Sequence, residues 1–198
     1  MKHQWKHSIA VLAALSLASL QACSAAGGPV SGVVIDEATG KPVADAIVVM
    51  RWHSSGINHS YCHHVATART DASGRYRIAA WITPLSLRAV FMSSAGIDYH
   101  AYKPGYVTIF REGTIALPAK IVIAPFKGTK DEYFEQVLSL RIWGCAQAGD
   151  SQTSLVPFYV AAAREAAALA ETQKQKSTAS FLASLINDPL GEKGNTTR

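Results

Sequence analysis

From Pro29 to about Pro125, short runs of β-forming residues alternate with turn signals. Val30-Ser31-Gly32-Val33-Val34-Ile35 reads as a strand, and Asp36-Glu37-Ala38-Thr39-Gly40-Lys41-Pro42 as the turn that ends it. Ala46-Ile47-Val48-Val49-Met50-Arg51-Trp52 follows as a second strand. Its unbroken apolar start predicts burial on both faces or a place in a sandwich core. Val65–Thr70 alternates weakly. Arg75-Tyr76-Arg77-Ile78 alternates cleanly, with Tyr76 and Ile78 expected inward and both arginines outward. Further strands are expected at Leu85–Met92, on either side of Pro104-Gly105 within Tyr99–Val107, and at Ala119–Ala124. Six or seven short strands at this spacing predict a mainly β chain folded as a sandwich.

After Pro125 the period changes. Asp131–Trp143 places Tyr133, Phe134, Val137, Leu138 and Ile142 at helical spacing. Leu155–Gln175 is alanine-rich and strongly helix-forming, with Pro157 suited to a first turn. Ser177–Asn187 reads as a shorter helix, with Phe181, Leu182, Leu185 and Ile186 on one face. The expected organisation is a leader over 1–22, a β-sandwich over 29–125, a helical extension over 126–190 and a frayed tail over 191–198.

The leader follows from charge and hydropathy. Met1–Ser8 carries Lys2 and Lys6 with no acid, and Ile9–Leu20 is an apolar run too short for a comfortable permanent span. It ends in Leu20-Gln21-Ala22-Cys23, which resembles the lipobox of bacterial lipoproteins, where the cysteine takes the lipid and becomes the first mature residue. Gln21 is an unusual occupant of that motif. Ser24 resembles the signal for the outer membrane. The other route is ordinary cleavage after Ala25 or Ala26, and both routes export the chain.

Export changes the cysteine arithmetic. Cys23 is lipidated or lost, so Cys62 and Cys145 remain as an even pair in an oxidising compartment. A disulfide is the expected outcome. It would close a loop of roughly 80 residues and stabilise by about 3–5 kcal/mol in the chain-entropy model. Without Lys2 and Lys6 the 19 basic residues become 17, against 14 acidic, a balance of +3. That is too mild to imply a nucleic-acid partner, and no lysine–arginine cluster stands out.

Three segments in order carry a family likeness: GVVIDEATGKPVADAIVVM at Gly32–Met50, ARTDASGRYRI at Ala68–Ile78, and AYKPGYVTI at Ala101–Ile109. Together they resemble the carboxypeptidase regulatory-like domain, a seven-stranded transthyretin-like (Ig-like) β-sandwich found in many exported bacterial proteins. The likeness covers about Val30–Ala124. It implies an accessory module that binds or spaces and does not catalyse, and no His-x-x-Glu pair of a zinc carboxypeptidase accompanies it. The turn chemistry is its physical basis: Asp71 can accept from the amides ahead of it, and Gly74 can take a positive φ.

Catalytic motifs are sparse. Neither Gly-x-Ser-x-Gly nor a phosphate-binding Gly-x-x-x-x-Gly-Lys loop occurs. Intradiol dioxygenases contain a segment like TDASGRYRI, but they hold iron with two tyrosines and a His-x-His pair, and this chain has no His-x-His. The one concentration of chemistry-bearing residues is Arg51–Asp71, with His53, His59, His63 and His64 beside Cys62. A metal reading gathers three of these imidazoles around Zn or Cu. The competing reading is a polar inter-strand loop of exposed histidines, or a pH-responsive surface for a partner. His63 and His64, being adjacent, are expected on opposite faces of any strand. Trp52, Trp81 and Tyr102 are either an aromatic platform for sugars or peptides, or packing.

The expectation is therefore an exported, lipid-anchored cell-envelope protein without a cofactor, not an enzyme, acting as a binding or structural module. Its partners would be the membrane, through lipid on Cys23, and an envelope protein or a glycan or peptide ligand. An outer-membrane location facing the periplasm or surface is expected, with a soluble periplasmic or secreted form as the alternative. A Zn- or Cu-binding protein using His53, His59, His63 and His64, and a hydrolase with an unrecognised site, are the other two readings.

Overall fold

The structure is a computed structural model, and it describes residues 26–55, 60–82, 94–107, 111–113, 119–140 and 151–184. The expected leader, Cys23, His59, the expected strand Leu85–Met92, Cys145 and the expected tail lie outside the described residues.

The fold is mainly β. One sheet has the order β5-β2-β10-β8, from β2 (Val30–Asp36), β5 (Arg75–Ile78), β8 (Tyr106–Val107) and β10 (Lys120–Pro125). A second has the order β4-β3-β7-β9, from β3 (Ile47–Ser55), β4 (Ser60–Arg69), β7 (Ser94–Tyr102) and β9 (Arg111–Gly113). The first sheet contains a parallel pair, β2 with β10, in register from Val33↔Lys120 to Asp36↔Ile123. A short pair, β1 (Ala26–Gly27) with β6 (Trp81–Ile82), extends the β2–β5 ribbon, since Val30↔Ile78 is followed by Gly27↔Trp81.

The two sheets face each other as in a sandwich. Val30, Val34, Tyr76, Ile78, Ile121 and Ile123 of the first meet Val48, Met50, Trp52, Ile97 and Ala101 of the second. As expected, β5 turns Tyr76 and Ile78 inward and leaves Arg75 and Arg77 exposed. The turn before it is built as its residues suggest. Asp71 Oδ1 accepts from the backbone N–H of Ser73 (2.8 Å) and of Arg75 (2.9 Å). Gly74 holds φ at +71°, where a Cβ would also lie 2.8 Å from the Val34 carbonyl oxygen.

The apolar run of β3 is explained by a third layer. Val48 and Met50 enter the sandwich, while Ile47 and Val49 face three helices, α1 (Lys130–Ser139), α2 (Ser151–Leu169) and α3 (Gln173–Ser184). Phe134, Leu140, Leu155, Phe158, Tyr159, Ala162, Ala166 and Leu182 pack there against Ile47, Val49, Val65 and Tyr102. The central sheet is thus buried on both faces. Helix α1 opens with a capping box, Thr129 with Glu132, which satisfies two amides that the first turn leaves without partners. Helix α2 begins four residues earlier than expected, so Pro157 is its seventh residue and not part of its first turn.

Candidate functional site

His53, His63 and His64 lie on strands and not in a loop. Residues Ser60–Arg69 form a ten-residue strand hydrogen-bonded along β3, from Ile47↔Arg69 to Ser55↔Ser60. Its β-forming residues (half-buried Tyr61 and Cys62, fully buried Val65) have a partner strand to pair with, and that outweighs the polar composition around them.

A register shift in this pairing decides where the histidines point. Trp52 pairs with His64 but His53 pairs with Cys62, so one residue of β4 is extra. Such a bulge breaks the strict alternation of faces. His63 and His64 therefore share a side, against the expectation of opposite faces. His63 Nε2 is 2.8 Å from Ser54 Oγ, and its ring lies 5.0 Å from Tyr61. His64 stacks on Trp81 at 4.8 Å with 19° between planes, and lies 5.6 Å from Trp52. Trp52 and Trp81 meet edge to face at 5.4 Å. Both histidines are held below the ordinary imidazole pKa by burial, His63 also by the neighbouring His53.

His53 is engaged elsewhere. Its Nε2 is 3.2 Å from Asp98 Oδ1, and Arg51 binds the other oxygen of Asp98 through Nε at 2.8 Å and again through its terminal nitrogen. Opposite His53 stands Gly96, where a Cβ would lie 2.8 Å from the ring. His53, His63 and His64 thus each have a separate partner set. Among the described residues no group of three His, Cys, Asp or Glu side chains could hold a metal ion.

The serine–histidine contact has the spacing of a nucleophile and base, but little else of one. Ser54 is 4% exposed, and His63 Nδ1 is buried with no hydrogen-bond partner among the described residues. The nearby carboxylate, Asp98, is taken by Arg51 and His53. A histidine base is normally oriented by a third group, and none serves here.

The aromatic trio divides. Trp52 and Trp81 do meet, at the end of the sandwich where β1 lies against β6. Trp81 covers Gly27 so closely that a Cβ there would lie 2.2 Å from its ring nitrogen. Tyr102 does not join them. It is 1% exposed, beneath Phe158 of α2 with ring centroids 5.4 Å apart.

Tyr102 belongs instead to a cluster absent from the sequence reading. Its hydroxyl donates to Glu165 of α2, and the hydroxyl of Tyr133 in α1 donates to the other oxygen of that carboxylate at 2.5 Å. The Gly105 amide in the Pro104-Gly105 turn donates to the Tyr133 hydroxyl oxygen and, at 3.1 Å, to Glu165. Burial and then the bond to Glu165 raise both tyrosine pKa values far above their ordinary range. One carboxylate thereby fastens two helices to a sheet turn.

Cys62 faces the helical layer and packs partly buried against it. Five residues along β4, Thr67 Oγ1 donates to the Ser154 carbonyl of α2 at 2.6 Å. On the outer face of the first sheet, a groove of about 960 Å³ is lined by Ser31, Val33, Asp71 and the three arginines Arg69, Arg75 and Arg77, among others. Arg69 pairs there with Asp45 at 2.6 Å.

No protein-family model matches the chain, and no curated protein matches it in sequence. Among solved structures, it is similar to the 3-chlorocatechol 1,2-dioxygenase of Rhodococcus opacus 1CP, at 17% identity and a TM-score of 0.34, over 50% of this chain and 61% of that one. The chlorocatechol 1,2-dioxygenase of Pseudomonas putida gives 14% and 0.33 over the same shares, and a streptococcal ancillary pilin 15% and 0.28 over 51% of this chain and 30% of that one. The chain thus spans less than two thirds of the length of each. No activity is carried over from them.

Proposed function

We propose that this chain is an exported, lipid-anchored envelope protein whose sandwich is a transthyretin-like module of the carboxypeptidase regulatory-like kind. It serves as a structural or binding support and not as a catalyst. What carries the reading is the third layer: α1–α3 cover the second sheet, and Glu165 ties both α1 and α2 to the Pro104-Gly105 turn. Side chains able to do chemistry are spent on internal partners, Asp98 on Arg51 and His53, Ser54 on His63. That pattern suits a rigid spacer.

In this reading Cys23 carries the lipid and Cys62 is bridged to Cys145. Cys145 precedes the first residue of α2 by six positions, and that helix is bonded to β4, so the bridge would join elements already in contact. The partner is an envelope protein, or a glycan or peptide, taken up away from the covered sheet.

The test is the mature N-terminus, read by mass spectrometry on protein recovered from the envelope of a bacterial host. An N-terminal peptide that begins at Cys23 and carries acyl mass is expected. An unmodified N-terminus at Ala26 or Gly27 would overturn the anchor. Affinity recovery of the anchored protein would then identify the partner.

A further inference from the structure

We propose that the outer face of the β1–β2/β5–β6 ribbon rests on an anionic lipid surface, with Ile82 entering the interface and Arg75 and Arg77 meeting headgroup phosphates. The proposal rests on the lipid-anchor reading and adds to it an orientation and a lipid chemistry.

The first observation is where the described chain begins. Cys23 is three residues before Ala26, and Ala26 is already paired with Ile82. Three residues reach at most about 11 Å when extended. An acylated Cys23 therefore holds the tip of this ribbon within roughly one Debye length of the headgroups, where charge attraction is little screened. There is no linker long enough to lift the sandwich away.

The second observation is what that tip presents. Ile82 is 73% exposed, the more open of the two exposed large apolar side chains among the described residues. Neighbouring strand residues point to opposite faces. Trp81 is turned inward onto Trp52 and His64, so Ile82 is turned outward. By the same alternation Tyr76 and Ile78 point inward, and Arg75 and Arg77 outward. One face thus carries an apolar residue next to the anchor, with two guanidinium groups further along the ribbon.

The third observation is charge. No carboxylate pairs with Arg77 among the described residues. Arg75 has Asp71 as its acidic neighbour, but that carboxylate already accepts from two amides of its own turn and from the Ser73 hydroxyl. Arg75 and Arg77 line one groove with Arg69, and guanidinium groups bind phosphate in a planar, forked geometry. An exposed isoleucine sharing a face with two arginines suits a surface that lies on lipid.

The experiment uses the mature chain from Ser24, which lacks the lipid but keeps every residue the structure describes. It is mixed with phosphatidylcholine vesicles, or with vesicles also containing phosphatidylglycerol, and sedimented over a lipid titration reaching millimolar concentration. Binding to the anionic vesicles and none, or far less, to the neutral ones is expected. Arg75→Ser with Arg77→Ser should weaken anionic binding by about 25-fold, at about five-fold per arginine. Ile82→Ser should weaken it by about ten-fold. All three positions are exposed, so circular dichroism should be unchanged.

No sedimentation with anionic vesicles, or unaltered binding by the arginine variant, would overturn the proposal. The two readings fail separately. An acylated Cys23 with no vesicle binding removes the docking face alone, while vesicle binding with an unmodified N-terminus removes the anchor alone.

Discussion

Replacing Glu165 by alanine is the sharpest test of how the helices are held. The carboxylate accepts from the hydroxyls of Tyr102 and Tyr133 and from the Gly105 amide. Without it, Tyr133 and Gly105 still bond each other, but the Tyr102 hydroxyl is left without this acceptor in a residue 1% exposed. A hydrogen bond to a charged acceptor is worth about 1.5–3 kcal/mol net, and a stranded buried donor costs about 1–3 kcal/mol. Allowing for partial rescue by water, Glu165→Ala should destabilise by about 3 kcal/mol. Glu165→Gln keeps one acceptor and should lose about half of that. Urea unfolding followed by far-ultraviolet circular dichroism measures both. A double-mutant cycle with Tyr102→Phe should show a coupling of about 1–2 kcal/mol, because truncating either partner removes the same bond. A Glu165→Ala variant within about 0.5 kcal/mol of the parent, with no coupling to Tyr102, would mean that the cluster does not fasten the layers.

Acid should weaken the fold before its carboxylates titrate. His100 is buried on β7 beside Phe158, and burial drives its pKa down to about 3, opposed only in part by Asp98. Between about pH 6.5 and 3 the unfolded chain binds a proton that the folded chain refuses, so stability rises with pH through that window. His63 and His64, also depressed by burial, act in the same direction. From pH 7 to pH 4.5 the loss from His100 should be about 2–3 kcal/mol, and His100→Phe should flatten the slope in denaturant titrations. An unchanged slope would refute the assignment. For the cysteines, non-reduced peptide mapping should recover a Cys62–Cys145 cross-link, whose reduction lowers stability by about 3–5 kcal/mol. Two free thiols would rule it out.

Local features were legible in the residues and pairing details were not. The alternation of Arg75–Ile78, the Asp71–Gly74 turn and the double-sided apolar run of β3 each depend on residues close in sequence. They read correctly because turn chemistry and side-chain period are local properties. The bulge that aligns His63 with His64 is a property of how β4 registers against β3, and no residue type announces it. The polar run between Trp52 and Val65 read as a loop, whereas His53–Ser55 and Ser60–His64 continue the two strands, because each has a partner strand to pair with. Whether Tyr102 belonged to a platform or to packing stayed open in the sequence, since nothing near it foretells α2, which lies some sixty positions away. Glu165 passed unnoticed for a related reason. In an alanine-rich helix a lone acid reads as a solubilising residue until two tyrosines from other elements are seen to end on it.

The parallel pairing of β2 with β10 sets an order of events on the chain. Among the described strands of the two main sheets, only β3 with β4 pairs as a hairpin of consecutive strands; β2 meets β5 more than forty residues later, and gains its second partner only from a strand roughly 85 residues later. A nascent chain that has emerged only as far as Gly113 holds β2 paired on one side, with Val33 to Asp36 offering unpaired backbone. Closure waits for Lys120–Pro125, and the helices that cover the other sheet come later still. Folding of this molecule is therefore finished from its last third, and a chain stopped short of Pro125 presents an open edge that a chaperone or another copy can occupy.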